Sequence, residues 1–176
     1  MKTALDFAKE MVQSKLYFET QGPNRSPALD SLSNEFGVPL GSSWCALFVS
    51  KAFKSAAQAG ATGDPFHYTA GSQDLLAWFK NNHTVSTNPD DLLKWKGALI
   101  IRTDPGGEHG HVALVSGRVT STKSKVLSLL TIEGNTNTNG SSNGDGAYCR
   151  TRLVPLQPYE WHFCNTTNIK GGSWWE

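Results

Sequence analysis

The sequence predicts an α+β domain, because helical periodicity dominates its first half and strand-like runs dominate its second half. Before Gly97, apolar residues recur every three or four positions. After Gly97, short apolar runs alternate with turn-forming segments. Helices followed by consecutive antiparallel strands are typical of α+β proteins and not of a doubly wound sheet. We expect N-terminal helices packed on one antiparallel sheet of about five to six strands.

The first helix is predicted over residues 3–15, where apolar side chains recur at helical spacing. The stripe consists of Ala4, Leu5, Ala8, Met11 and Val12. The next segment, "QGPNRSPALDSLSNEFGVPLG", contains several helix breakers. We therefore expect a loop there, with at most one short turn of helix.

The clearest helix lies between Ser43 and Gly60. Ser43, or Ser42 before it, is a favourable N-cap, and Gly60 is a favourable residue after a helix end. One apolar stripe runs between them, formed by Cys45, Phe48, Val49, Ala52, Phe53, Ala56 and Ala59. Cys45 is therefore expected in the first turn, on the face that packs against the rest of the molecule.

A third, shorter helix is predicted over residues 72–80. Ser72 is its expected N-cap, and Leu75, Leu76 and Phe79 are expected to face inward. From Gly97 onward, five runs predict strands: "ALIIR", "HVALVSG", "VLSLLTIEG", "AYCRTRLV" and "YEWHFC".

The second and third of these strands are joined by "RVTSTKSK", which is typical of a hairpin connection. A hairpin centred near Thr122 places Ala113 opposite Thr131 and His111 opposite Glu133. Side chains at these alternating positions share one face of the sheet.

Four residues in this arrangement suggest nucleophilic catalysis. If the cysteine stripe packs on that sheet face, Cys45 converges with His111, Glu133 and Asn135. Backbone N–H groups and the helix dipole stabilise a thiolate at a helix start. An adjacent imidazole can move the proton, and a carboxylate or amide can orient the imidazole. The backbone N–H of Cys45 could stabilise a tetrahedral oxyanion.

The same residues resemble a known family. "WCALFVS" on a helix, then "GHVALVSG", "IEGNTN" and a turn into "DGAYCRTR" look like a CHAP domain, the cysteine, histidine-dependent amidohydrolase/peptidase family of peptidoglycan hydrolases. The resemblance covers roughly residues 35–154. It implies a papain-like fold and cleavage of an amide in the peptide part of peptidoglycan. That amide is the N-acetylmuramoyl–L-alanine bond or a bond within the stem or cross-bridge.

The resemblance also implies roles for individual residues. Cys45 would be the nucleophile, His111 the general base and acid, and Glu133 the group that orients His111, with Asn135 assisting. Many members carry Gln before the cysteine; this chain has Trp44, so an oxyanion role for that side chain is not available. No acidic calcium loop like that of some phage members precedes the cysteine, so we expect no metal and no cofactor.

Composition limits the other possibilities. The chain has 176 residues, which suits one domain, with a core expected at about residues 35–165 and a tail at 166–176. A formal net charge of +1 gives no support for nucleic-acid binding, and no segment is apolar enough to span a bilayer. We expect a monomer with no membrane partner.

The segment "MKTALDFAKEMVQSKLYF" mixes charges into a helical pattern and does not predict a secretory signal. We therefore expect synthesis in the cytoplasm and action in the periplasm or cell wall after delivery. A phage lysin released through a holin and an antibacterial effector of a type VI-like apparatus both fit. The expected partner is the peptidoglycan stem peptide, with an immunity protein in addition if the chain is an effector.

Alternatives remain for several residues. Taken singly, Cys45 and His111 are more commonly buried core residues than catalytic ones. Glu108, His109 and His111 could form a metal cluster, but His109 fits better at the rim of a substrate groove. Trp44 is expected either in the core or as a wall of that groove. "NTNTNGSSNGDG" lacks the closing Glu of a calcium loop and predicts a polar turn.

The other two cysteines, Cys149 and Cys164, are expected to be structural. They could form a bridge, although reduced thiols suit a cytoplasmic product better. Two other functions also stay open. One is a cysteine protease or deamidase toxin acting on a host protein, and the other is an inactive wall-binding module.

Overall fold

The computed structural model describes residues 1–119, 126–139, 143–155 and 160–175, and the fold is α+β. The described residues contain four α-helices: α1 (Ala4–Ser14), α2 (Pro27–Glu35), α3 (Cys45–Gln58) and α4 (Ser72–Asn82). They also contain six strands: β1 (Val85–Ser86), β2 (Ala98–Thr103), β3 (Gly110–Val119), β4 (Val126–Thr136), β5 (Gly146–Pro155) and β6 (Glu160–Asn165).

The strands form one antiparallel sheet in the order β1-β6-β2-β3-β4-β5. The predicted α+β class, with helices on an antiparallel sheet, is therefore confirmed. A short 3-10 helix at Pro89–Leu93 precedes β2. Among the described residues, none of the helices has the length and apolar character that crossing a bilayer requires.

The N-terminal helices are fixed by local capping. Thr3 caps α1 in a reciprocal capping box with Asp6, which confirms the predicted helix. The loop expected over residues 21–41 is wrong in its middle, because α2 forms there. Ser26 caps this helix by accepting from the backbone N–H of Leu29, and Pro27 occupies the first helical position.

The start of α3 differs from the prediction. Its N-cap is Trp44 and not Ser43 or Ser42, and no side chain among the described residues caps the helix. Trp44 is 1% exposed, so its burial in the core outweighs the local preference for a serine cap. The uncapped first turn leaves backbone N–H groups open around Cys45. At α4 the N-cap is Gly71, and Ser72 is the first helical residue.

The sheet separates two apolar clusters. The larger cluster packs the helices on one face of the sheet, where Leu99, Val112, Leu114 and Ile132 point. The smaller cluster lies on the other face and contains Leu92, Ala98, Ile100, Ala113, Val115, Leu129, Val154, Trp161 and Phe163. Both faces of the central strands are therefore buried.

The predicted β3–β4 register is wrong by two residues. Thr131 pairs with Val115 and not with Ala113. A shift by two residues preserves the face of every side chain, so His111 and Glu133 become diagonal neighbours instead of opposed ones. The register also shifts between Val115 and Gly117. The presumed centre of this hairpin near Thr122 lies outside the described residues.

The predicted packing face is also wrong. The stripe of α3 packs on Val112, Leu114 and Ile132, which alternate with His111 and Glu133 along β3 and β4. Only the N-terminal turn of α3 reaches the histidine.

Residues before position 35 also contribute to the apolar core. Ala4 and Ala8 of α1, with Leu29 of α2, belong to the same cluster as α3. The tail docks as well. The indole N–H of Trp174 donates to the carbonyl oxygen of Val115 at 3.0 Å, and Trp175 packs against the smaller cluster.

Candidate active site

A glycine on β4 allows the start of α3 to approach the sheet closely. A Cβ atom at Gly134 would lie 2.5 Å from the Cβ of Phe48 and 2.7 Å from Cζ3 of Trp44. Real Cβ atoms do not come so close to other carbon atoms, because van der Waals contact begins at about 3.5 Å. The absence of a side chain at Gly134 therefore brings the first turn of α3, and with it Cys45, against strands β3 and β4.

Cys45 lies buried beside His111 at this contact. The residue is 5% exposed. Burial alone would raise the pKa of the Cys45 thiol. The imidazole of His111 and the backbone N–H groups of Val112 and Ala46 outweigh burial, so the pKa is lowered from its usual value. The uncapped helix start supplies one of these N–H groups, so the local backbone favours a thiolate.

His111 connects the thiol to a carboxylate. Its Nε2 lies 3.0 Å from Oε2 of Glu133, and both residues are at most 1% exposed. The second ring nitrogen, Nδ1, makes no hydrogen bond of good geometry among the described residues. Because Glu133 lies against Nε2, Nδ1 is the nitrogen left for the Cys45 thiol, which also interacts with the imidazole. Burial would lower the pKa of His111, but Cys45 and Glu133 raise it above its usual value.

Two further side chains hold Glu133. The guanidinium of Arg152 binds the carboxylate in a bidentate pair, with Nε donating to Oε1 at 2.7 Å and Nη2 donating to Oε2. The hydroxyl of Thr131 donates to Oε1 at 2.5 Å. Burial alone would raise the pKa of Glu133, but the hydrogen bonds from Arg152 and His111 lower it well below its usual range. Glu133 is therefore ionised and accepts hydrogen bonds from Arg152, Thr131 and His111.

The structure thus brings together three of the four residues predicted to be catalytic. Cys45, His111 and Glu133 form a connected chain from the thiol to the carboxylate. Asn135 is fully buried at a bulge of β4 and has a φ of 55°, in the left-handed region. Its side-chain atoms have no hydrogen-bond partner among the described residues, so Asn135 is not part of the hydrogen-bonded series of Cys45, His111 and Glu133.

A groove of about 580 Å³ opens beside Cys45. Ser43, Gln73 and His109 line it together with the acidic residues Asp74, Asp104 and Glu108. Exposed His109 lines this groove, and its role in binding substrate stays a prediction.

Of the two places expected for the Trp44 side chain, the structure shows the core and not the wall of a substrate groove. Its ring is buried in the core, and its indole N–H donates to Oε1 of Glu19 at 3.3 Å. Trp44 packs on the ring of Phe48, so it positions the helix start and does not form a groove wall.

The remaining alternatives concern a metal cluster, the polar turn and a bridge between Cys149 and Cys164. Among the described residues, no group of three or more His, Cys, Asp or Glu side chains could hold a metal ion. The centre of the polar turn, residues 140–142, lies outside the described residues. All three cysteines are free. Cys149 on β5 and Cys164 on β6 are separated by three intervening strands, about 19 Å at ordinary strand spacing, which is too far for a disulfide.

Comparison of the chain with family models, with curated proteins and with solved structures finds no match.

Arg152 and Thr131 are the site residues that sequence reasoning missed. Alternation along β4 predicted that Thr131 shares a sheet face with Glu133, but it did not predict the hydrogen bond between the two side chains. Arg152 comes from β5, which pairs with β4. The Asn-Gly and Asp-Gly pairs between the two strands indicate a turn, but they do not fix which β5 residue lies beside Glu133. Only the alternation in "CRTRLV", which places two arginines on one face, pointed to a charged group on that side.

Proposed function

We propose that this chain is a cysteine amidase or peptidase that cleaves an amide bond in the peptide part of peptidoglycan. The observation that carries the proposal is the buried chain from Cys45 through His111 to Glu133, which begins in a groove. A thiol with a lowered pKa beside an imidazole with a raised pKa favours the thiolate–imidazolium pair. A purely structural cysteine has no need of such a pair.

The proposed reaction has two steps. The Cys45 thiolate attacks the carbonyl carbon of the amide and forms a C–S bond, while the backbone N–H of Cys45 stabilises the oxyanion. The His111 imidazolium gives its proton to the leaving nitrogen, the C–N bond breaks, and an amine departs from a thioester. Water then gives a proton to His111 and attacks the thioester, which releases the carboxylic acid and restores the thiolate.

The choice of peptidoglycan rests on the resemblance of these segments to CHAP domains. The order of a cysteine at a helix start, Gly-His-Val on one strand and Glu-Gly-Asn on the next supports it. We further propose that the protein acts on the cell wall after delivery by a secretion apparatus or a holin, as an effector or a lysin.

Digestion of purified murein sacculi tests this function. The parent protein is expected to release soluble fragments, and their masses identify the bond that is cleaved. Cys45→Ala and His111→Ala should each abolish release while keeping the circular dichroism spectrum of the parent. Cys149→Ala is the matched control, since Cys149 lies on a strand at the sheet edge, and it should digest like the parent. Undiminished digestion by Cys45→Ala would refute the mechanism.

Expression in two compartments separates this function from a toxin that acts on a host protein. A wall hydrolase should arrest growth only when it is exported to the periplasm. A protease or deamidase acting on a cytoplasmic protein should arrest growth without export.

A further inference from the structure

Arg152 is a buried cation that the proposed reaction does not use directly. Arg152 is 6% exposed, and its guanidinium carbon lies 5.8 Å from the ring centre of Trp161. Its forked donors face both oxygens of Glu133. Because burying a guanidinium is costly unless it is paired, this placement indicates a specific task.

The charge state of Glu133 decides which nitrogen of His111 carries the proton. An ionised carboxylate can only accept, so Nε2 of His111 must donate to it. In the neutral imidazole, Nδ1 is then the free base that faces the Cys45 thiol. A protonated Glu133 would instead donate to Nε2 and leave the proton on Nδ1. His111 could not accept a proton from Cys45 in that tautomer.

We propose that Arg152 is a positioning residue that sets the tautomer of His111 by keeping Glu133 ionised. This inference rests on the proposed cysteine chemistry but not on the choice of peptidoglycan. Arg152 touches neither the thiol nor the groove and acts only through Glu133.

Other charged groups near Glu133 do not replace Arg152. Nε of Arg150 lies 3.9 Å from Oε1 of Glu133, beyond hydrogen-bond distance, and its Nη1 donates to the carbonyl oxygen of Asn137 at 2.7 Å. Arg102 on β2 pairs with Asp104 at 2.7 Å. Among the described residues, the only bidentate pair on the Glu133 carboxylate is therefore the one with Arg152.

The test measures alkylation of Cys45 by iodoacetamide as a function of pH, which needs no substrate. Arg152→Met removes the charge, and we expect alkylation near neutral pH to slow by roughly 100-fold, the size of a lost acid–base contribution. The acid limb of the profile should also move to higher pH. Arg152→Lys keeps the positive charge but cannot form the bidentate pair, so its alkylation rate should lie between those of the parent and Arg152→Met. Arg150→Met is the matched control and should leave the profile unchanged.

A double variant covers the case in which Arg152→Met fails to fold. Glu133→Gln/Arg152→Met leaves no buried charge without a partner. If Arg152 acts through Glu133, the double variant should alkylate within about twofold of Glu133→Gln alone. A further large loss in the double variant, or a parental profile for Arg152→Met, would overturn the inference.

Sacculus digestion by the same proteins separates the two proposals. If Arg152→Met slows alkylation of Cys45 as expected but the parent protein does not digest murein, only the proposed substrate is refuted. Parental digestion by Arg152→Met would refute the positioning role alone.

Discussion

Replacing Gly134 with Ala tests whether close approach of α3 creates the site. The new Cβ would lie 2.5 Å from the Cβ of Phe48, whereas carbon atoms pack at about 3.5–4.0 Å. The helix start must therefore retreat by about 1 Å, a displacement that can cost roughly 100-fold in rate. The strain should also lower the free energy of unfolding by about 1–3 kcal/mol.

The assay compares Gly134→Ala with Gly117→Ala on the neighbouring strand. A Cβ at Gly117 meets the Cδ1 of Leu130 at 3.2 Å, the end of a flexible side chain that can turn away. Alkylation of Cys45 and digestion of sacculi should fall about 100-fold in the first variant and change less than about twofold in the second. Thermal unfolding measures the stability cost separately. Parental alkylation in a folded Gly134→Ala protein would refute the argument that this contact builds the site.

Four other predictions concern pH, the tail and a helix cap. Sacculus digestion should have a bell-shaped pH profile, rising through the lowered pKa of Cys45 and falling through the raised pKa of His111. The contribution of His111 to the free energy of unfolding should be complete below pH 6.5 and should disappear as the pH rises through the raised pKa of His111. Denaturant titrations over a range of pH, with His111→Gln as the reference, would measure it. Trp174→Phe, which removes the donor to Val115, should lower the free energy of unfolding by about 1–3 kcal/mol in denaturant titrations without slowing Cys45 alkylation. Ser26→Ala should lower it by about 1 kcal/mol, whereas Ser26→Gly should cost only a few tenths.

Residues with strong local signals were predictable from sequence. The α3 stripe from Cys45 to Ala56 follows from periodicity and is confirmed, whereas Ala59, predicted as its last member, is exposed and lies beyond the helix end. The helix predicted over 72–80 is also confirmed and continues to Asn82. The signal for α2 was present as well, since Ser26 followed by Pro27 is a favourable helix start. The breakers on both sides of this segment outweighed that signal in the sequence analysis.

Long-range geometry was less predictable. The register shifts between Val115 and Gly117 and between Glu133 and Thr136, and these irregularities were not predicted. Gly117 and Gly134 were signals for them, since an isolated glycine in a strand pattern often marks a bulge. Period-two alternation still placed His111 and Glu133 on one face, because an error of two residues preserves the side. The prediction of the sheet face on which α3 packs was wrong. Only the first turn of α3 contacts His111, and that turn can approach the sheet because Gly134 has no side chain in its way.

The position of β6 has a kinetic consequence. This strand is the last in the chain, yet it inserts between β1 and β2. Until it arrives, β2 presents an open edge with its aliphatic residues Leu99, Ile100 and Ile101, which invites pairing with another chain. Pairing over such a sequence separation is slow. We therefore expect insertion of β6 to limit the folding rate, and chains that end before Glu160 to aggregate instead of presenting a reactive cysteine.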